Sequence, residues 1–121
     1  SSKISQIQDV IIREGSFRRM NLTKYNIKIE DDVVIIEISC RRTKIKSTLI
    51  TLYWLCGHAL DQHKLFYSEI RVILNIQKKQ IETLVTIAKG KDVIKLSQLK
   101  LSEYSSYSNF LDKLEVYRKQ D

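Results

Sequence analysis

The chain has no proline and only three glycines in 121 residues. Without proline, no helix or strand is broken by a missing N–H donor. With so few glycines, no phosphate-cradling loop, Walker sequence or dinucleotide fingerprint can be assembled. Gly15 and Gly90 are left as the turn and cap candidates. The two cysteines, Cys40 and Cys56, cannot build a disulfide scaffold, and they form no Cys-x-x-Cys pair. Both have apolar neighbours and are expected as buried free thiols. Long apolar runs are missing too. The stretch from Leu49 to Leu60 is interrupted by Thr51, Gly57 and His58 and is too short for a bilayer, so no transmembrane segment is expected.

Negative charge is in short supply. Lysine and arginine number 21 against 14 acidic residues, a formal charge of +7. Such an excess favours acidic partners: nucleic acid, anionic lipid or an acidic protein face. With 43% apolar residues and no low-complexity linker, the chain reads as one domain, residues 1–121.

What is present is a pattern that occurs twice. Ile4, Ile7, Val10, Ile11 and Ile12 space a first helix, closed at Gly15-Ser16. Tyr25, Ile27 and Ile29 alternate with Lys24, Asn26 and Lys28 in a first strand. Glu30-Asp31-Asp32 turns it into a second strand, Val33 to Cys40. A second helix follows from about Lys44 to Asp61, apolar most of the way round. Strands at Phe66 to Ile76 and Ile81 to Ala88 then flank the turn Gln77-Lys78-Lys79-Gln80. Beyond Gly90, residues 93–101 read as a short edge strand or an irregular crossing. Phe110, Leu111, Leu114 and Tyr117 space a final helix ending at Arg118 or Lys119.

Two helix-strand-strand units predict an α+β fold. The expected form is a four-stranded antiparallel sheet with helices on one face, a permuted ferredoxin-like sandwich, plus a C-terminal helix. This predicted topology resembles that of small assembly domains in bacterial secretion and pilus machines, and of many nucleic-acid-binding modules. The likeness is of topology and not of motif, so it implies little about function. It does carry a placement. Arg18, Arg19 and Lys24 should approach Arg41, Arg42 and Lys44, with Lys78 and Lys79 at the same end and the acidic turn at the other. The start of the second helix adds its unpaired N–H groups to that pole.

Catalytic constellations are thin. Cys40, Cys56, His58 and His63 lack zinc-ligand spacing, since residues two apart on a helix point to nearly opposite sides. Asp31 or Asp32 with Glu37 could serve a metal-dependent nuclease, but the position two residues after Glu37 holds Ser39 where that chemistry wants a lysine. No nucleophile elbow is present. No catalytic residue, metal or cofactor is therefore expected. The leading expectation is a non-enzymatic protein-interaction or assembly domain, self-associating through Ile50, Trp54, Tyr104 and Tyr107. The alternative is a nucleic-acid-binding module contacting phosphates through the clustered arginines and lysines.

Overall fold

The computed structural model describes residues 2–17, 25–100 and 104–120. The elements run α1 (Lys3–Phe17), β1 (Tyr25–Glu30), β2 (Val33–Arg41), a one-turn 3-10 helix (Arg42–Lys44), α2 (Ile45–Gln62), β3 (Glu69–Gln77), β4 (Glu82–Lys89), α3 (Gly90–Ser97), α4 (Tyr104–Asp112) and β5 (Glu115–Gln120). The strands form one sheet in the order β1-β2-β3-β4-β5.

The α+β class is as expected, but the sheet is five-stranded and mixed rather than four-stranded and antiparallel. β2 and β3 pair in parallel, with Val33 opposite Glu69 and Arg41 opposite Gln77. The other neighbours are antiparallel. The reason is length. Eighteen residues of α2 rise ~27 Å at 1.5 Å per residue. The nine residues of β2 span ~30 Å at about 3.3 Å each. The helix therefore returns the chain to the end where β2 began, and a strand laid beside β2 from there must run parallel to it. The two halves are thus alike in sequence of elements but wound differently. The likeness to permuted ferredoxin-like domains falls with that difference.

Two further expectations change. The segment after Gly90 is helix α3, not an edge strand. The final helix ends at Asp112, and residues 115–120 are strand β5.

The core lies between the sheet and the helices. Val34, Ile36, Ile70, Val72, Leu74 and Ile76 are fully covered on the inner face. Alternate residues on the outer face are half-buried, including Ile35, Ile73 and Val85. Along that outer face a polar ladder crosses three strands. Asn75 Nδ2 donates to Glu37 Oε2 at 2.8 Å, and Thr83 Oγ1 donates to Asn75 Oδ1 at 3.1 Å.

α2 is the central helix, flanked by α1 and α3. Its apolar girth is used within the chain. Leu52, Leu55, Cys56, Ala59 and Leu60 are fully buried, and so are the outlying Ile50 and Trp54 but for 8% and 7% of their surface. Trp54 Nε1 donates to the Leu99 carbonyl at 2.8 Å, just beyond α3. Gly57 permits the close approach of α3. A Cβ there would stand 2.4 Å from the Val93 carbonyl oxygen and 2.9 Å from Ser97 Cβ.

A buried hydroxyl chain joins α2 to the sheet. Thr86 Oγ1 donates to the Val72 carbonyl at 2.8 Å. Its single proton being spent there, it accepts from the Tyr53 hydroxyl at 2.8 Å. Burial holds the Tyr53 hydroxyl well above the ordinary tyrosine range.

Candidate functional site: a basic pole with a cleft

The parallel pairing of β2 and β3 decides where charge collects. Both strands end at the same pole, so Arg41 and Arg42 stand beside Gln77 and the turn that carries Lys78 and Lys79. The α2 N-terminus opens at this pole with Lys44 and Lys46 exposed. β5, antiparallel to β4, also ends here, bringing Arg118 opposite Leu84 and Lys119 opposite Thr83. The acidic turn residues Asp31 and Asp32 lie at the far end of the sheet. The protein is therefore electrically polarised along its strands.

A cleft of about 600 Å3 is cut into the basic pole. Arg42, Gln77, Lys78, Lys79, Gln80, Ile81 and Glu82 line it. Glu82 is nearly buried, with 4% of its surface exposed. Its two carboxylate oxygens are bound separately, one by Lys78 Nζ and the other by Arg118 Nη1. The hydrogen bond from Lys78, then that from Arg118, hold the Glu82 carboxyl below its ordinary pKa. Lys78 and Arg118 thus direct much of their charge at Glu82, and the three together leave one net positive charge. Arg42 and Lys79 add theirs to the same cleft.

Of the residues expected at a shared anion contact, Arg41, Arg42, Lys44, Lys78 and Lys79 lie at one pole. Arg18, Arg19 and Lys24 fall outside the described residues. Four members of the pole escaped the sequence reading, the exposed Lys46 in the first turn of α2 being one. Arg118 and Lys119 were hidden because their segment reads as helix. Glu82 gave a usable signal: a carboxylate four residues after Lys78, across a turn.

The expected partner-interface residues sit elsewhere. Ile50, Trp54 and Tyr107 are buried in the chain's own core, which removes them as an exposed interface. The Tyr107 hydroxyl donates to the Lys100 carbonyl. The Tyr104 side chain lies outside the described residues.

The residues weighed for chemistry are dispersed. Cys56 is fully buried, and desolvation pushes its thiol up to about 12. His58 stacks on Trp54 with ring centroids 4.4 Å apart. Cys40 Sγ donates to the Arg41 carbonyl at 3.1 Å. Glu37 stands four strand residues beyond Val33, ~13 Å from the turn that holds Asp31 and Asp32. Among the described residues, no group of three His, Cys, Asp or Glu side chains could hold a metal ion. No described helix is long and apolar enough to cross a membrane.

Comparison with protein-family models, with curated proteins and with solved structures found no match for this chain.

Proposed function

We propose that the chain is a non-enzymatic interaction domain that docks an acidic face of a partner protein at its basic pole. The supporting observation is the convergence of Arg41, Arg42, Lys44, Lys46 and Lys79 at one end, around a cleft whose lone carboxylate, Glu82, is already neutralised. An approaching anion meets an uncompensated field there, and the polarised fold steers it in the right orientation.

A second reading, phosphate contacts to nucleic acid, draws on the same field. Side-chain placement ranks it lower. Tyr53, Trp54 and Tyr107 are buried, and among the described residues no aromatic side chain lines the cleft. Base stacking, a large part of single-strand affinity, has no platform among the described residues that line the cleft.

Fluorescence anisotropy with a labelled polyglutamate peptide and with a random single-stranded oligonucleotide tests both readings. We expect the peptide to bind, with affinity falling as salt rises and lost in the double variant Arg42→Glu, Lys79→Glu. An oligonucleotide that binds more tightly, with a log-log salt slope of roughly −0.7 per phosphate neutralised, supports the second reading instead. Binding of neither probe at low salt overturns both.

A further inference from the structure

β5 closes one edge of the sheet, and no described strand lies beyond it. Edge strands offer an unpaired row of N–H and C=O groups to any second strand, and stable monomers usually blunt them. β5 carries Glu115, Arg118 and Lys119, charges of the kind that guard an edge, but it also shows apolar surface. Val116 and Tyr117, side by side, are 50% and 54% exposed and rank among the few large apolar side chains left in solvent. The opposite edge differs: on β1, Ile27 is buried and Tyr25 and Ile29 are largely covered.

We propose that two copies of this chain pair through β5, antiparallel and edge to edge, to make one continuous sheet. The inference is independent of what the basic pole binds. Strand geometry restricts the register. A two-fold axis normal to the sheet keeps inner-face residues opposite inner-face residues, because side chains alternate strictly along a strand. Glu115, Tyr117 and Lys119 share the outer face with Ile87, Val85 and Thr83, while Val116 and Arg118 share the inner face with Thr86 and Leu84. Only registers that centre on a single residue satisfy this rule. Centring on Arg118 would set two guanidinium groups opposite each other, and centring on Val116 would halve the overlap. Centring on Tyr117 leaves nothing opposed. Tyr117 meets its twin, Glu115 meets the partner's Lys119 on each side, and Val116 lies under the aliphatic stem of the partner's Arg118.

The field of the whole molecule favours the same arrangement. β5 runs from the end that holds Asp31 and Asp32 to the basic pole. Antiparallel pairing sets the two charge gradients head to tail and leaves a basic pole free at each end of the dimer.

Sedimentation equilibrium of the full chain across a concentration series tests the pairing. The wild type is expected to approach twice the 14.2 kDa chain mass. Glu115→Lys and Lys119→Glu should each raise the dissociation constant roughly tenfold, by placing like charges across both symmetric pairs. The two substitutions combined should restore wild-type association. Both positions are exposed, so the variants remain folded. A wild type that stays monomeric, a dimer indifferent to either single reversal, or a combined variant that fails to recover overturns the proposal.

Discussion

Two residues carry unusual local demands, and each makes a prediction. Lys64 has φ 54°, the left-handed region that favours glycine. It sits just past the end of α2, where Leu65 N–H donates to the Leu60 carbonyl at 2.9 Å and Lys64 N–H to the Asp61 carbonyl at 3.4 Å. This is the Schellman closure, with lysine where glycine is usual. Relief of the left-handed cost outweighs the entropy that glycine adds to the unfolded chain. Lys64→Gly should therefore stabilise the fold by ~0.5–1 kcal/mol, read as a higher urea midpoint. A lower midpoint would show the lysine itself to be required. Glu82 makes the second prediction. Its folded pKa lies below the ordinary 4.5, so the carboxylate contributes stability that is complete above that value. The contribution is lost as pH falls through the folded pKa. The acid limb of a melting-temperature profile should flatten in Glu82→Gln. An unchanged limb would place the acid sensitivity elsewhere.

At the scale of elements, hydrophobic periodicity gave α1, β1, β2, α2, β3 and β4 to within a few residues, because each presents a long, consistent stripe. The last third was misread for physical reasons. Val93, Leu96 and Ser97 are buried on one face of α3, but eight residues are too few for the helical period to stand out from alternation. In residues 110–117, apolar positions at helical spacing run across the α4–β5 boundary, so two short elements imitate one helix. Gly57 shows what no local pattern contains: its role exists only once α3 lies against α2. Gly57→Ala gains up to ~1 kcal/mol in helix propensity. It also drives a methyl group to 2.4 Å from the Val93 carbonyl oxygen, an overpacking that costs about 1–3 kcal/mol because neither backbone can swing aside. We expect a net loss of stability in urea unfolding. A neutral or stabilising result would mean that the α2–α3 contact is looser than described.

For the molecule as a whole, what matters is the direction of β3. The sequence placed Arg41, Arg42, Lys78 and Lys79 at one end, but through antiparallel, symmetry-related halves that the sheet does not have. A repeated unit suggested an antiparallel sheet, whereas the reach of α2 dictates a parallel pair. The parallel pair is what sets the end of β2 beside the β3–β4 turn and so holds these cations at one pole. The apolar surplus of α2, read from the sequence as a partner surface, is instead consumed by α1 and α3. What the molecule leaves exposed is a charged end and a strand edge that shows Val116 and Tyr117. The most direct measurement is a two-dimensional amide NMR titration of the chain with polyglutamate at low salt. Shifts should concentrate at residues 41–46 and 78–82 and spare Asp31 and Asp32. Shifts spread evenly over the surface, or centred on the acidic turn, would contradict the basic pole as the binding site.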